Sequence, residues 1–285
     1  MTDWIELDPA YSTTRRVRKV APQVVKAELK AAHKPEDLIE TILFQPEGEG
    51  RKGEGGLRTQ GYFKKTSEEK PLITVITVVF NGEKHLENTI LSVLNQTYQN
   101  IEYIIIDGGS SDETVNIIKK YEHAIDYWCS EKDNGIYDAM NKGIDLVAGE
   151  WINFMNSDDK YFGNSTIEII SENISKYVSV IYGDAIISSG KYKKYVAKKK
   201  FSRINLIIWS TRVVCHQAMF VRKKIVPKYN TRYILKAELD WYFAILSKKT
   251  ESRCVNFPVC RYSLGGISDR LFKLEMKETI SPLMS

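Results

Sequence analysis

Two polar clusters follow apolar segments of this sequence, and both contain side chains that could do chemistry. The run Asn-Ser-Asp-Asp occupies 156–159, and the run Asp-Gly-Gly-Ser-Ser-Asp occupies 107–112. The adjacent carboxylates of Asp158 and Asp159 repel each other unless a cation or hydrogen-bond donors compensate. Mg²⁺ and Mn²⁺ favour oxygen ligands, and Mg²⁺ is commonly held by one or two carboxylates together with substrate phosphates. The pair therefore predicts a divalent-metal site, although a helix cap before Lys160 would use the same residues.

The second cluster begins with a carboxylate and two glycines. Because glycine has no side chain, a ligand can approach the backbone after Asp107 closely. A carboxylate in that place can accept the N3–H of a uracil ring or bind a ribose hydroxyl. Asp112, five residues later, is better explained as a helix cap. We therefore expect Asp107, and not Asp112, to contact a ligand.

Strands that alternate with helices must position the two clusters. Leu72 to Phe80 is an apolar, β-branched run of strand length. Further strands are predicted at 101–106, 125–130, 151–155, 178–182, 218–221 and 258–263, a hairpin at 186–201, and helices at 86–94, 115–121, 136–147, 167–177 and 237–246. This alternation predicts an α/β fold with parallel strands and right-handed crossovers. Ligands bind at the carboxyl ends of such strands, where both clusters lie.

Composition and charge limit the class of protein. The chain has 285 residues, of which 43% are hydrophobic and 27% charged, as is ordinary for a globular protein. No apolar run approaches the roughly 20 residues that span a bilayer, and the acidic amino terminus does not fit a signal peptide. The four cysteines lack Cys-x-x-Cys spacing, which suggests reduced thiols in a cytoplasmic protein and argues against zinc.

The net charge of +5 is unevenly distributed. Six lysines fall within residues 191–200 with aromatic residues between them, and further basic residues follow up to Lys224. Such a segment could bind nucleic acid, anionic lipid or a pyrophosphate. A solvated loop explains the same pattern equally well.

Six motifs in order resemble the family 2 glycosyltransferases, which are inverting enzymes with the GT-A fold. The motifs are the turn at 77–82, the run 92–98, the cluster 107–112, the runs 138–143 and 149–152, and the cluster 156–159. The run 130–141 and His216-Gln217 further resemble bacterial members that build O-antigen, capsule or exopolysaccharide units on lipid-linked acceptors. The resemblance is close over 71–165 and loose over 166–270, and residues 1–70 fall outside it.

The resemblance implies a donor site for a UDP-sugar. Asp107 matches the carboxylate that recognises the uracil ring, and Phe80 matches the position whose ring packs against that base. Thr77, Asn81 and Asp133 are predicted to complete the donor site.

The cluster 156–159 matches the Asp-x-Asp region of the family, with Asn156 where an earlier aspartate is usual. On this match Asp159 is assigned to the metal, Mn²⁺ or Mg²⁺. Asp158 is assigned to the ribose or to a metal-bound water, and both carboxylates belong to the predicted metal site.

A single-displacement transfer needs a base that takes the proton of the acceptor hydroxyl. Alignment on the helix that begins at Ala237 gives this role to Glu238, with Asp240 in reserve, whereas an acidic first turn explains both residues without catalysis. His216 and Gln217 are predicted to contact the acceptor or the diphosphate, although a histidine in such a place is more often a packed one. The run 265–268 resembles a mobile loop that closes over the nucleotide.

These inferences predict a metal-dependent hexosyltransferase that moves glucose or galactose from a UDP-sugar to a polyprenyl-diphosphate-linked or saccharide acceptor. Residues 71–270 would form its GT-A domain, with a nucleotide-binding half (71–160) and an acceptor-binding half (161–270). Residues 1–70 are predicted to be a helical and loop extension with a flexible glycine-rich connector at 47–56, and 271–285 a C-terminal tail. The protein would work in the cytoplasm, with peripheral contact to the inner face of an anionic bacterial membrane.

Two other functions stay open at this point. A nucleotidyltransferase also uses a parallel sheet and a cation held by carboxylates, although the glycine-rich phosphate loop usual in such enzymes does not follow Phe80. A nucleic-acid-binding protein could use the lysine-rich segment, and RNA binding with a steep salt dependence would favour it.

Overall fold

The computed structural model describes residues 4–7, 16–35, 37–189, 192–196, 200–209, 214–234, 237–248 and 251–263. Its strands are β1 (Trp4–Glu6), β2 (Arg16–Lys19), β3 (Gly53–Gly55), β4 (Tyr62–Phe63), β5 (Ile73–Val79), β6 (Ile101–Asp107), β7 (Tyr127–Ser130), β8 (Trp151–Phe154), β9 (Lys160–Tyr161), β10 (Val178–Ser189), β11 (Tyr192–Val196), β12 (Met219–Arg222) and β13 (Glu251–Ser263). Its α-helices are α1 (Pro22–Ala32), α2 (Leu86–Leu94), α3 (Thr114–Lys120), α4 (Ile136–Asp145), α5 (Thr166–Ser171), α6 (Arg203–Trp209) and α7 (Ala237–Ser247).

Ten of these strands form one central sheet. They lie in the order β3-β7-β6-β5-β8-β12-β10-β13-β9, and β11 pairs with β10. The strands β7, β6, β5 and β8 are parallel to one another, which confirms the predicted alternation of parallel strands and helices. Their carboxyl ends meet along one edge, which we call the rim and define by residues 80–82, 107–111, 130–134 and 155–159. The strand order reverses between β6 and β8 around β5, where ligands bind in open α/β sheets.

The apolar run predicted as the first strand is buried because helices cover both faces of the sheet. Ile76 and Val78 of β5 pack in a core that includes residues of α4, α6 and α7. Val75 and Val79 point to the other face and pack with residues of α2, α3 and α5. A strand that is buried on both faces reads as a continuous apolar segment instead of an alternating one.

The second half of the sheet brings a later part of the chain to the rim. β12 is antiparallel to β8, so the residues that precede β12 lie beside the carboxyl end of β8. β10 pairs antiparallel with β12 and parallel with β13. The predicted hairpin is confirmed by the antiparallel pairing of β10 with β11, in which Ala185 lies opposite Val196. The last strand begins at Glu251 and is longer than predicted.

The predicted flexible connector at 47–56 is wrong for its second half. β3 pairs antiparallel with β7 at the edge of the central sheet, with Gly53 opposite Ser130. A Cβ atom on Gly55 would lie 2.6 Å from Nε1 of Trp128, so the absent side chain lets the backbone approach the sheet. Glycine in this segment therefore serves close packing and not flexibility.

Two buried ion pairs join the same region to the parallel strands. Nη2 of Arg58 lies 2.5 Å from Oε1 of Glu102, and Nζ of Lys64 lies 2.8 Å from Oδ2 of Asp126. All four side chains are buried. Residues 53–64 thus share the core of the sheet, although the proposed domain boundary at residue 70 stays a prediction.

Some predicted features lie outside the described residues. These are the loop at 265–268, the tail at 271–285, and the basic residues Lys191, Lys198, Lys199 and Arg212. Within the described ranges, no helix is both long enough and apolar enough to cross a membrane.

Candidate active site

Hydrogen bonds join the loops that follow β5 and β6 at the rim. The backbone N–H of Asn81 donates to Oγ of Ser110 (2.7 Å), and that of Ser111 donates to Oδ1 of Asn81 (2.9 Å). Asn81 has a φ of 52°, in the left-handed region that asparagine tolerates better than most residues. The predicted donor-site residue Asn81 therefore fixes the shape of the rim with both its backbone and its side chain.

Asp107 is at the predicted place but faces the protein interior. Its carboxylate accepts hydrogen bonds from the backbone N–H of Gly109 (3.2 Å) and Ser110 (3.0 Å) and from Oγ of Ser130 (2.6 Å). The hydroxyl of Ser110 also donates to it, and the side chain is fully buried. Because the chain itself supplies four donors, Asp107 holds the loop in place. This geometry does not support the expected direct contact between Asp107 and the uracil ring.

A different carboxylate lies at the surface beside this loop. A Cβ atom built on Gly108 would be 2.4 Å from Oδ2 of Asp133, so Asp133 fills the space that a side chain at 108 would need. Oδ1 of Asp133 accepts a hydrogen bond from the backbone N–H of Gly135 (2.8 Å). Partial burial raises the pKa of Asp133, and the charges of Asp138 and Asp107 add to the rise. Phe80, at the end of β5, leaves 63% of its surface exposed.

Only one of the two adjacent carboxylates after β8 is accessible. Asp159 is buried and accepts hydrogen bonds from Nε2 of Gln217 (2.7 Å) and from the backbone N–H of Ser263 (2.9 Å). Burial raises its pKa to about 7, the charge of Asp158 adds to the rise, and both hydrogen bonds oppose it. Asp158 is exposed to solvent. The role assigned to Asp159 at the metal thus conflicts with its accessibility in this structure.

Asn156 has a buried oxygen that lacks a hydrogen-bond partner. Its Oδ1 atom is shielded from solvent, and no donor among the described residues reaches it. Its Nδ2 atom lies 3.3 Å from Nε2 of His216. Buried polar atoms are almost always paired, so this unpaired oxygen, two residues before Asp158 in the sequence, marks a place where a ligand atom or an ion could satisfy it.

His216 lies between the cluster after β8 and the first turn of α7. Its Nδ1 atom is 3.7 Å from Oε1 of Glu238, on the side of the ring opposite Asn156. Burial lowers the pKa of His216, and the charge of Glu238 opposes this effect. A neutral ring whose Nε2 accepts from Asn156 carries its proton on Nδ1, facing Glu238.

Glu238 is held by a second contact. The hydroxyl of Tyr137, in the first turn of α4, donates to Oε2 of Glu238 (2.7 Å) and accepts from the backbone N–H of Ala237 (3.0 Å). Asp240 is two residues later, about 200° around the helix, and therefore points away from this group. The structure thus brings Glu238, and not its reserve Asp240, together with His216 and Asn156.

Two other predicted site residues have structural roles. Thr77 is fully buried in the middle of β5, and its hydroxyl donates to the carbonyl oxygen of Met155 (2.7 Å), so the prediction that it contacts the donor is not supported. Gln217 is also buried, and its amide group holds Asp159, so direct contact with an acceptor is likewise not supported. Both residues lie beneath the rim and support the residues of the site.

The sequence did not single out two residues that the structure brings to the site. Nζ of Lys52 donates to the carbonyl oxygens of Gly109 (3.0 Å) and Ser110 (2.7 Å), although Lys52 is outside the family-like region. Tyr137 lies within the motif run 130–141, but no role followed from its type. No local signal could have placed Lys52, because its position depends on the pairing of β3 with β7.

The described residues fit a divalent cation only in part. Among them, no three His, Cys, Asp or Glu side chains converge to hold a metal ion. Asp158 and Oδ1 of Asn156 offer two oxygen atoms two residues apart, one exposed and one unpaired. Such a donor set suits a hard cation that takes its remaining ligands from water and phosphate oxygens, as Mg²⁺ commonly does.

Comparison with known proteins decides the family. The model of "Glycosyl transferase family 2" matches residues 74–229, which is more than half of the chain. The chain belongs to this family. The matched range includes the whole rim and His216, whereas Glu238 and residues 1–70 fall outside it.

Curated relatives of this glycosyltransferase include mycobacterial enzymes. A "PGL/p-HBAD biosynthesis glycosyltransferase" of Mycobacterium tuberculosis is 30% identical over 217 residues, covering 72% of this chain and 82% of the relative. The uncharacterized glycosyltransferase Rv1514c of the same species is 31% identical over 208 residues, covering 69% of this chain and 77% of the relative. The chain is therefore a glycosyltransferase, and nucleotidyl transfer is not its class of reaction.

Solved structures confirm the predicted GT-A fold. The Staphylococcus aureus TarS fragment 1-349 in complex with UDP superposes with a TM-score of 0.55 at 15% identity, over 71% of this chain and 63% of that one. This glycosyltransferase therefore spans less than two thirds of the fragment. The mannosyltransferase PcManGT from Pyrobaculum calidifontis, in complex with GDP-Man and Mn²⁺, gives a TM-score of 0.54 at 13% identity, over 88% and 67% of the two chains. At such identities the likeness shows the fold alone.

Proposed function

We propose that this family 2 glycosyltransferase moves a hexose of the glucose or galactose type from a UDP-sugar to a hydroxyl group, with inversion at the anomeric carbon. The acceptor is a saccharide or a sugar on a polyprenyl diphosphate, and the product serves bacterial surface polysaccharide synthesis. The nucleotide-binding half is 71–160 and the acceptor-binding half is 161–270. The enzyme works on the cytoplasmic side of the membrane.

The uracil ring, in this proposal, lies between Phe80 and Asp133. Phe80 offers an exposed ring for stacking, and Asp133 offers a carboxylate oxygen that can accept the N3–H of the base. Asp107 then acts indirectly, because its buried carboxylate fixes the loop that carries Gly108. This arrangement revises the role first expected for Asp107 and keeps the role expected for Phe80.

A divalent cation, Mn²⁺ or Mg²⁺, would be held by Asp158 and Oδ1 of Asn156. When bound, it would supply positive charge that offsets the charge growing on the departing diphosphate. Asp159 lies behind this pair, and its contacts with Gln217 and Ser263 keep the turn in shape. The metal-ligand role first expected for Asp159 thus passes to Asp158, and Asp159 has a structural role instead.

The acceptor side depends on Glu238. In the proposed step the acceptor oxygen bonds to the anomeric carbon, the bond from that carbon to the diphosphate oxygen breaks, and the hydroxyl proton passes to the Glu238 carboxylate. Tyr137 donates to Oε2, which leaves Oε1 directed toward His216 and the rim. His216, neutral and partly buried, orients Glu238 and Asn156 without itself taking the proton.

One observation carries the proposal. The His216 ring is 3.3 Å from Asn156 in the donor cluster and 3.7 Å from Glu238 in α7. The cluster 156–159, proposed to hold the donor diphosphate, and the proposed base Glu238 therefore lie on either side of His216. A single displacement requires such proximity, because the donor and the acceptor must meet in one site.

Matched substitutions on α7 test the base. We expect Glu238→Gln to lower kcat by about 10²- to 10⁴-fold, the usual contribution of a general base, while UDP affinity stays unchanged. Asp240→Asn, on the same helix but the opposite side, should keep turnover close to that of the unaltered enzyme. Turnover is followed as release of UDP from UDP-glucose or UDP-galactose with a lipid extract as acceptor. Normal turnover by the Glu238→Gln enzyme would overturn the assignment.

Calorimetric titration tests the donor and the metal. We expect UDP-glucose or UDP-galactose to bind more tightly with Mn²⁺ than without it, and Asp158→Asn to abolish this difference. The unaltered enzyme should bind UDP-sugars more tightly than GDP-mannose. Tighter binding of GDP-mannose than of the UDP-sugars would refute uracil as the nucleobase of the donor. If the Asp158→Asn enzyme still bound UDP-sugars more tightly with Mn²⁺ than without it, Asp158 would not be a ligand of the metal.

A further inference from the structure

Three large apolar side chains lie exposed on one face of α6. Ile204, Ile207 and Ile208 leave 60%, 54% and 61% of their surfaces exposed. Their spacing of three and four residues places them side by side on a single face of the helix. Scattered exposed isoleucines need no explanation, but three on one face of a helix form an apolar patch, and such patches mark interaction sites.

The opposite side of this segment is firmly packed, so the exposed face has a fixed orientation. Leu206 is fully buried and Phe201, just before the helix, is 3% exposed. The Phe201 ring lies 6.1 Å from that of Tyr182 in β10 and 5.8 Å from that of Tyr242 in α7. Leu206 and Phe201 already attach this segment to the core, so the three isoleucines are not needed for packing and face solvent.

The charge along this segment of the chain has one sign. Lys200 and Arg203 are exposed at the start of α6. Between Asp184 and Glu238 the sequence contains no Asp or Glu, but it contains 14 Lys and Arg residues. The whole chain carries +5, so the rest of the chain carries 5 − 14 = −9. A segment this basic within an otherwise acidic protein indicates an anionic partner.

We propose that α6 docks this protein on an anionic lipid bilayer. Ile204, Ile207 and Ile208 enter the boundary between headgroups and acyl chains, and Lys200 and Arg203 contact the anionic headgroups. An apolar helix face bordered by cations is the usual design of a peripheral membrane contact. A nucleic acid would suit the cations but would leave the isoleucines in water, so the bilayer is the partner that accounts for both.

The docking face belongs to the same packed unit as the proposed base. Phe201 contacts Tyr242 of α7, and Glu238 lies in the first turn of that helix. His216 follows α6 by seven residues along the chain. Docking would therefore fix the acceptor side of the site relative to the membrane surface, and this use of the surface rests on the proposed lipid-linked acceptor.

Vesicle sedimentation with the full chain tests the surface. We expect binding to vesicles of phosphatidylcholine and phosphatidylglycerol, and little binding to phosphatidylcholine alone. The triple variant Ile204→Ser, Ile207→Ser, Ile208→Ser should bind the anionic vesicles about tenfold more weakly or worse. Lys200→Glu with Arg203→Glu should also weaken binding and should reduce its dependence on salt. Tyr177→Ser removes a side chain that is 68% exposed elsewhere and should change nothing.

Each outcome decides for or against the proposal. Absence of binding to the anionic vesicles, or equal binding by the triple variant, refutes it. The rival occupant of the patch is a second copy of the chain, and light scattering after size exclusion detects it. If the unaltered protein is a dimer and the triple variant is a monomer, membrane docking is overturned. Single Ile204→Ser and Ile208→Ser variants, each with an unchanged Tm, should give graded losses if the triple variant folds poorly. UDP affinity, measured on the same samples, tells failure of docking apart from failure of the proposed transferase site.

Discussion

Replacement of Arg58 by methionine is expected to destabilise this protein strongly, although residue 58 lies outside the range matched by the family model. Arg58 is 1% exposed and donates through Nη2 to Oε1 of Glu102 (2.5 Å) and to the carbonyl oxygen of Leu146 (2.9 Å). Glu102 is 3% exposed, and its other oxygen accepts from Thr74 and Ala148. Methionine fills similar space but leaves the Glu102 carboxylate buried without a cation.

The size of the effect follows from this burial. Removal of one partner of a buried ion pair costs about 3–5 kcal/mol, since the remaining charge has lost its compensation. A domain is stable by only about 5–15 kcal/mol, so much of the total would be lost. The double variant Arg58→Met, Glu102→Gln should recover part of the loss, because the glutamine oxygen can still accept from Thr74 and Ala148. We expect a coupling energy of about 1–3 kcal/mol.

Urea unfolding at several pH values provides the measurement. Burial raises the pKa of Glu102, but Arg58 and the hydrogen bonds outweigh burial and hold it below its ordinary value of 4.5. The pair therefore contributes its full stabilisation above pH 4.5 and loses it as the pH falls through the lower pKa of the folded protein. Without Arg58, Glu102 can become neutral by taking a proton, so the difference between the two proteins should shrink on acidification.

The exposed pair Lys120–Glu87 is the matched control, and Lys120→Met should change stability little. An Arg58→Met protein within about 0.5 kcal/mol of the unaltered one at neutral pH would refute the reasoning. It would mean that the buried Glu102 carboxylate does not need the charge of Arg58.

The remaining predictions concern the site itself. Gly108→Ala should push the Asp133 carboxylate aside and raise the Kd for UDP about tenfold or more at an unchanged Tm, measured by calorimetry; unaltered affinity would contradict the base contact. Tyr137→Phe should lower kcat about tenfold without change in UDP affinity, because Glu238 loses the hydrogen bond that orients it, and full activity in a steady-state assay would argue against that role. Gln217→Leu should reduce the free energy of unfolding by about 1–3 kcal/mol, since a buried carboxylate loses a donor, and an unchanged urea midpoint would show that water replaces the amide.

The sequence by itself determined the family and the order of the strands and helices from β5 to β8. The run Leu72 to Phe80 could only be a buried strand of a sheet covered on both faces, because its apolar side chains are continuous and β-branched. Polar clusters that follow such strands must lie together at the rim of a parallel sheet, whatever hydrogen bonds their side chains form there. Local pattern and motif order were sufficient for these conclusions, since both depend on neighbours in the chain.

The tertiary structure alone decided which side chains at the rim are available. Asp158 and Asp159 are identical in type and adjacent in sequence, yet Gln217 and Ser263 bury one of them and leave the other exposed. Asp107 likewise loses its freedom to Ser130, which belongs to another strand.

The same dependence on distant partners explains the error at the amino-terminal side. The segment 47–56 has the composition of a loose linker, but an open edge of the sheet at β7 gave β3 a partner. Hydrogen-bond donors and strand partners that arrive from 20 or more residues away, such as Ser130 and Arg58, leave no trace in local composition. A residue's type and spacing therefore fix what chemistry it can do, and only the folded chain fixes whether its atoms are free to do it.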